Sequence, residues 1–211
     1  MLLTGTVAYF APRFLAYSDK PVKSDAIILF SGQELQARLM EAMQLIKEGF
    51  SDYLFVPASF RLYRADKDRT RLTVIRFSDI KPGLDLPRPR KGDELSPSYF
   101  KKIRSEYSFP RFYEDTYVEI LLAKKAMDAC GFRKAIFVSS PYHMRRIKIM
   151  TGRVFDSSYD IKFVPSRFEK RFKVSFPSRK DLEHVFTEYI KMIWFLCYHL
   201  CDGWRDLCGA R

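Results

Sequence analysis

The chain has 211 residues, of which 47% are hydrophobic and 29% charged, and this composition excludes a disordered or fibrous protein. Its length suits one α/β domain with a well-buried core. The charge is unusual, because 37 Lys and Arg against 25 Asp and Glu leave a formal net charge of +12. Such an excess favours an anionic partner without choosing among nucleotides, phosphosugars, nucleic acid and an acidic membrane surface.

The first elements of the chain follow a β-α-β pattern. The apolar run 24–30 predicts a central parallel strand, and 53–56 predicts the next strand. A helix is expected between them from Ser31, because Ser31 and Glu34 have the spacing of a capping box. Arg38 lies about two turns into this helix, and its local surroundings favour a solvated side chain.

Between about residues 60 and 110 the periodicity weakens. Leu72–Phe77 predicts one strand, whereas 81–97 contains four prolines and the basic cluster Arg88–Lys91. This composition is typical of a lid-like loop and not of a second core. We therefore predict a single domain, 1–211, with a basic, Pro-rich insertion over about 60–110.

Regular structure returns after the insertion. A helix is predicted from Glu114 or Asp115 to a stop before Gly131, followed by strands over 134–138 and 161–164. The alternation of strands and helices predicts an α/β fold. We expect a Rossmann-like, doubly wound, mainly parallel sheet with helices on both faces.

The two ends of the chain are apolar. Residues 1–16 contain Pro12 and Arg13 and are shorter than a membrane span of about 20 residues, so we expect neither a signal peptide nor an anchor. A last helix is predicted over about 179–201, and its stretch 189–200 is apolar on nearly every side. We interpret this stretch as packed against a neighbouring element or at a homodimer interface, in preference to a membrane span.

The four cysteines, at positions 130, 197, 201 and 208, include no Cys-x-x-Cys pair. A chain of this length needs no disulfides for stability, so we expect a reducing, cytoplasmic compartment. Cys197 and Cys201 share a helical face, but zinc needs about four convergent ligands. We therefore predict no metal site and interpret both cysteines as core residues.

One junction between a strand and a helix combines several reactive groups. Residues 139–146 run Ser-Ser-Pro-Tyr-His-Met-Arg-Arg, with Ser140 at the N-cap and Pro141 at the first helical position. His143 and Arg146, three residues apart, share a helical face. Free amides and the positive end of a helix dipole suit an anion-binding or catalytic site. A capped helix with a solvated His143 and Arg146 explains the spacing equally well.

Taken in order, the motifs resemble the YdcF/SanA/ElyC-type family of Rossmann-like domains of unknown function. The late motif of that family, Thr-Ser-x-Tyr-His-x-x-Arg, is closely matched by 139–146. Asp115–Glu119 takes the place of Asn-Thr-x-x-Asn, so two amides are acids here. Ser31–Gly32 replaces a glycine pair, and Arg38 falls at the expected distance.

The resemblance covers roughly residues 14–58 and 110–200. It implies an anionic or nucleotide-like ligand near the motifs, with S-adenosylmethionine in one branch and cell-envelope roles in others, and it settles no reaction. Envelope branches usually begin with a membrane helix, so a cytoplasmic branch fits better. The ligand-binding residues implied are Ser31, Gly32, Arg38, Thr116, Ser139, Ser140, Tyr142 and Arg146.

Our leading hypothesis is a site for a small anionic, phosphorylated or nucleotide-like ligand at the carboxyl edge of the sheet. The hydroxyls of Ser139 and Ser140 and the amides beyond them would hold the anionic group. Arg38 and Arg146 would neutralise its charge. The sequence leaves open whether any reaction is catalysed.

If there is a reaction, His143 is the candidate general acid or base. Asp115 or Glu119 would orient its imidazole or bind a ribose hydroxyl. The alternative function is a non-catalytic module in cell-envelope or polysaccharide metabolism. Nucleic-acid binding has the least support, because the basic residues are scattered and no motif with stacking aromatics is present.

Overall fold

The computed structural model describes residues 10–83, 97–169 and 179–207. Residues 10–15 are helical. The strands are β1 Ala26–Leu29, β2 Tyr53–Val56, β3 Arg61–Ala65, β4 Leu72–Ile75, β5 Lys134–Ser139 and β6 Asp160–Pro165. The helices are α1 Leu35–Lys47, α2 Pro97–Glu106, α3 Asp115–Cys130, α4 Met144–Val154 and α5 Arg179–Leu207.

The six strands form one sheet in the order β4-β3-β2-β1-β5-β6. Strands β2, β1, β5 and β6 are parallel, whereas β3 and β4 are antiparallel additions at one edge. The chain leaves β1 towards β2 and leaves β5 towards β6, so the topology reverses between β1 and β5. This switch point is where ligands bind in open α/β sheets. The predicted Rossmann-like α/β fold is confirmed.

Strand β1 shows why the parallel strands are continuous apolar runs. Ile27 and Leu29 pack on the face covered by α1. Ala26, Ile28 and Phe30 pack on the opposite face, in the cluster that holds α3 and α4. A strand covered on both faces has no solvent side and hence no polar alternation.

The predicted insertion begins as part of the sheet. A 3-10 turn, Pro57–Ser59, is followed by Phe60 in the left-handed conformation (φ 51°), and the chain then returns antiparallel to β2 as β3. The Phe60 ring packs 5.4 Å from Phe55 and 5.5 Å from Phe77. Strand β4 confirms the strand predicted over 72–77, whereas β3 was not predicted.

Two of the sequence-based expectations concern residues that the structure does not fully describe. The basic, Pro-rich loop predicted within 81–97 lies mostly outside the described residues. Of the apolar stretch 1–16, residues 1–9 also lie outside them.

The capping box predicted at the start of α1 is wrong. The helix begins at Leu35 with Glu34 at the N-cap, and no side chain caps it. The Ser31 backbone N–H instead donates to Oε1 of Glu119 at 2.9 Å. Ser31 therefore ends the strand, and a turn through Gly32 separates it from the helix.

The junction after β5 has the predicted residues in place but a different first turn. Ser140 and Pro141 stand at the N-cap and first position of a 3-10 turn, Pro141–His143, and regular helix begins at Met144. The Ser140 hydroxyl does not cap this turn. It accepts hydrogen bonds from the Arg38 guanidinium instead.

Helix α5 presents two contrasting faces. Phe195 and Tyr198 are buried in the main core, whereas Phe186 and Ile193 are 67% and 59% exposed. Cys197 is also exposed, so its interpretation as a core residue is wrong. Over the described residues, no helix combines the length and apolar character needed to cross a membrane.

Candidate functional site

Arg38 occupies the switch point of the sheet. Its Nη1 donates to the carbonyls of Phe30 (3.1 Å) and Ser31 (2.5 Å), and its Nη2 donates to Oγ of Ser140 (2.6 Å). The residue is 1% exposed, so the expectation of a solvated arginine is wrong. The guanidinium thus ties the ends of β1 and β5 together.

Glu169, which follows β6, completes what we call the switch-point cluster, namely Arg38, Ser140 and Glu169. Its Oε1 accepts a hydrogen bond from the Ser140 hydroxyl at 2.5 Å and lies 3.5 Å from Nε of Arg38. Burial raises the pKa of Glu169, although Ser140 and Arg38 oppose this effect. The carboxylate of the protein itself therefore occupies the position predicted for an anionic ligand group.

Gly32 is required by the position of the Arg38 side chain. A Cβ at Gly32 would lie 2.6 Å from Nη1 and 2.7 Å from Nη2 of Arg38, and the backbone has φ +152°. Both the conformation and the close approach favour glycine. Gly32 was predicted to bind the ligand; in the structure it leaves room for the Arg38 side chain.

Glu119 lies beneath the same cluster. It is 2% exposed and accepts the backbone hydrogen bond of Ser31. Burial raises the pKa of Glu119 to about 7, against the opposing effect of the hydrogen bonds from Ser31. It makes no hydrogen bond with His143 within the described part of the chain. Its contact fixes the end of β1.

A second cluster centres on Arg146. Its Nε lies 2.7 Å from Oε2 of Glu188, and its Nη1 lies 2.8 Å from Oε2 of Glu114. Arg146 is 3% exposed, so the alternative of a solvated Arg146 is wrong. Lys191 also approaches Glu188, at 3.4 Å. We call Arg146, Glu114, Glu188 and His143 the arginine cluster.

Glu188 orients His143. The Nδ1 atom lies 2.9 Å from Oε2 of Glu188, which assigns the ring proton to Nδ1. Burial lowers the pKa of His143 to about 4, although Glu188 opposes the effect. Burial alone would raise the pKa of Glu188, but its contacts with His143 and Arg146 hold it below the ordinary range. The sequence predicted that Asp115 or Glu119 would orient this imidazole. In the structure Glu188 orients it.

Tyr142 lies between the two clusters. Its ring centroid is 4.3 Å from that of His143 and 5.6 Å from that of His184. Burial raises the pKa of the Tyr142 hydroxyl, with a hydrogen bond to Ser140 acting in the opposite direction. Ser139, 1% exposed, is the last residue of β5. The structure thus brings most of the predicted late motif together.

A cleft of about 520 Å³ opens at the amino end of α3. Asp115 and Thr116 line it, and the exposed Asp115 carboxylate lies 2.7 Å from Nη1 of Arg104. We call this the basic cleft, because five cationic side chains line it against two carboxylates. The lining residues are Lys101, Arg104, Arg111, Tyr113, Glu114, Asp115, Thr116, Arg146 and Lys191.

The predicted ligand residues are therefore divided between two places. One set belongs to the switch-point cluster or its surroundings: Ser31, Gly32, Arg38, Glu119, Ser139 and Ser140. The other set, Asp115, Thr116 and Arg146, lines the basic cleft. Tyr142 and His143 stand between them.

Sequence reasoning missed three carboxylates of the site: Glu114, Glu169 and Glu188. Glu188 could have been identified from the sequence, because it is an acid at the start of an apolar helical stretch. A charge buried in such a stretch requires a partner. Glu114 was considered only as a helix cap. Glu169 stands among basic and aromatic residues, and nothing local marks it.

The fold and site define an α/β protein of Rossmann-like architecture with a basic cleft at the carboxyl edge of its sheet. Among the described residues, no group of His, Cys, Asp and Glu could hold a metal ion. Comparison of the chain with models of protein families, with curated proteins and with solved structures finds no match.

Proposed function

We propose that this chain binds a small anionic, phosphorylated or nucleotide-like ligand in the basic cleft. The observation that carries the proposal is the convergence of cations on one cavity. Five lysine and arginine side chains against the two carboxylates of Glu114 and Asp115 give the lining a formal net charge of +3. The amino end of α3, a helix of 16 residues, adds backbone N–H groups and a positive dipole end.

Two of these cations are available to a ligand. Within the part of the chain that the structure describes, Lys101 and Arg111 are exposed and pair with no carboxylate. Arg104 and Arg146, in contrast, are held by Asp115, Glu114 and carbonyl oxygens. The first pair would contact the ligand, and the second pair would shape the wall of the cleft.

Glu114 provides a second indication of a polar ligand. Its Oε1 is buried and has no hydrogen-bond partner among the described residues, and burial raises the pKa of this carboxyl. An unsatisfied buried acceptor costs free energy unless a partner is supplied. A ligand hydroxyl, or a proton shared with a phosphate oxygen, would satisfy it.

The size and charge of the cleft discriminate among ligands. A volume of about 520 Å³ falls in the range of small-molecule sites and exceeds what inorganic phosphate fills. S-adenosylmethionine carries a sulfonium and an ammonium group as well as a carboxylate. A cavity with a positive net charge fits that cofactor less well than a phosphorylated ligand.

His143 does not line the cleft, and its part in the proposal is indirect. Its Nδ1–H donates to Glu188, and Glu188 holds Arg146 at the cleft wall. The imidazole is neutral at neutral pH, but a pKa of about 4 and a position outside the cleft lining do not favour the predicted role of His143 as a general acid or base. His143→Asn leaves every residue that lines the cleft in place and should therefore preserve binding.

Isothermal titration with pyrophosphate, adenosine monophosphate and S-adenosylmethionine tests the proposal. We expect the phosphorylated compounds to bind and Lys101→Gln/Arg111→Gln to weaken binding by at least about tenfold. The double variant Lys67→Gln/Arg153→Gln removes the same charge from exposed positions elsewhere and should bind normally. Failure of both phosphorylated compounds at millimolar concentration, or equal weakening in both variants, contradicts the proposal.

A further inference from the structure

We propose that the outer side of α5, together with the helix over 10–15, docks on an anionic lipid surface. The residues that form this surface, which we call the apolar face, are large, hydrophobic and exposed. They are Phe10, Phe14, Phe186, Ile190, Ile193, Trp194 and Leu196. The proposal is independent of the ligand site, to which α5 contributes Lys191 in the cleft lining and, from its buried side, the Glu188 carboxylate that holds Arg146.

The periodicity of α5 separates these two sides. Phe186, Ile190 and Ile193 are 67%, 49% and 59% exposed and stand at positions i, i+4 and i+7, so they share one side of the helix. Glu188 and Phe195, on the other side, are 1% and 0% exposed. A helix that contacts only its own domain and water shows polar residues on its outer side. An apolar outer side indicates a partner.

The helix over 10–15 extends the same surface. The Phe14 ring stacks on Tyr189 of α5 with centroids 6.2 Å apart, and Leu15 is buried in a small cluster with Val185. Phe10 and Phe14 nevertheless remain 59% and 46% exposed. The two helices are therefore packed side by side, with adjoining exposed aromatic and aliphatic groups.

Cations border the apolar face. The Arg145 guanidinium lies 4.4 Å from the Phe14 ring centroid, and Nζ of Lys148 lies 3.6 Å from that of Tyr17. Arg145 and Lys148 thus stand beside the aromatic groups at the edge of the surface.

This charge pattern favours an anionic lipid surface over a second copy of the chain as the binding partner. A second copy of a chain with net charge +12 would bring like charges together around the contact, which opposes association. Anionic headgroups would instead meet the cations while the aromatic and aliphatic side chains enter the boundary of the acyl chains. Trp194, 51% exposed, is of the residue type enriched at that depth.

Co-sedimentation with lipid vesicles tests the inference. Vesicles of phosphatidylcholine with phosphatidylglycerol should bind the chain, and vesicles of phosphatidylcholine alone should bind it more weakly. Ile193→Asp should weaken binding by at least about tenfold. Met40→Asp is the matched control, because Met40 is 53% exposed on α1, which covers the other face of the sheet. Thermal unfolding of both variants verifies that each is folded.

Three results would overturn the inference. The first is no binding of the wild type to the anionic vesicles. The second is an equal effect of Ile193→Asp and Met40→Asp, which would attribute binding to the overall charge. The third is a wild-type dimer in light scattering that Ile193→Asp dissociates, with no vesicle binding, which would assign the apolar face to a second copy.

Discussion

The Nδ1 atom of His143 lies 2.9 Å from Oε2 of Glu188, and the same oxygen lies 2.7 Å from Nε of Arg146. One buried carboxylate on α5 thus fixes two residues of the strand-to-helix junction, His143 and Arg146. This arrangement couples the last helix of the chain to the carboxyl edge of the sheet.

Replacing Glu188 by Gln should destabilise the fold strongly. The change leaves Arg146 with Glu114 alone as its carboxylate partner, and removing one member of a buried ion pair costs about 3 kcal/mol or more. Urea denaturation at neutral pH measures the loss. Lys191→Gln removes a partly exposed partner of the same carboxylate and should cost less than about 1 kcal/mol. A similar cost for both variants would contradict the central role of Glu188.

Stability should depend on pH through His143. Its folded pKa of about 4 lies below the ordinary value for histidine. As pH falls from about 6.5 to about 4, the unfolded chain therefore binds a proton that the folded chain does not. This proton uptake lowers the free energy of unfolding by up to roughly 3 kcal/mol. The difference between wild type and His143→Asn should shrink over that window in urea titrations. Parallel curves for the two proteins would exclude the effect.

The ionisation of Glu119 should make folding stability change with pH in the opposite direction. Its folded pKa of about 7 exceeds the ordinary value, so between about pH 4.5 and 7 the folded chain keeps a proton that the unfolded chain releases. Stability therefore falls as pH rises through this range. Glu119→Gln should be nearly neutral at about pH 5 and stabilising by up to roughly 3 kcal/mol at about pH 8. Thermal unfolding of wild type and Glu119→Gln at both pH values tests this prediction. A variant less stable than wild type at the higher pH would refute it.

Gly32→Ala should destabilise the chain by about 1–3 kcal/mol, because the added Cβ meets Arg38 and the backbone conformation is strained for alanine. Gly152 provides the control, since it lies within α4 and a Cβ there would meet nothing within 4 Å. Gly152→Ala should stabilise by about 0.5–1 kcal/mol through helix propensity. Urea denaturation measures both changes in the free energy of unfolding, and changes of the same sign for the two substitutions would contradict the prediction.

The buried pair of Arg38 and Glu169 should show strong coupling. Arg38→Met leaves the Glu169 carboxylate buried with only the Ser140 hydroxyl, at a cost of about 3 kcal/mol or more. Adding Glu169→Met removes that charge and should restore part of the loss. A double-mutant cycle measures the coupling, and additive effects of the two substitutions would show that the pair does not interact.

Much of the parallel sheet could be predicted from the sequence. The predicted bounds of β2 match the observed Tyr53–Val56, and α3 ends where predicted, before Gly131 in the left-handed conformation. Strands buried on both faces require apolar residues at every position, so the pattern is local and strong. Strand β3, which lies between β2 and the edge strand β4, was missed because its five residues include two arginines and form no continuous apolar run. In Arg61–Ala65 just one large apolar side chain, Leu62, is buried.

The sequence by itself determined where the parallel strands run, which turns meet at one edge, and that the surface is cationic. Only the tertiary structure decided which charges are buried. Arg38 is buried because acceptors from β1, from the end of β5 and from the segment after β6 converge on it, and Ser140 lies 102 residues away in sequence. Glu188 meets Arg146 across 42 residues. No local pattern records such pairings, because an unpaired charge favours water until folding supplies its partners.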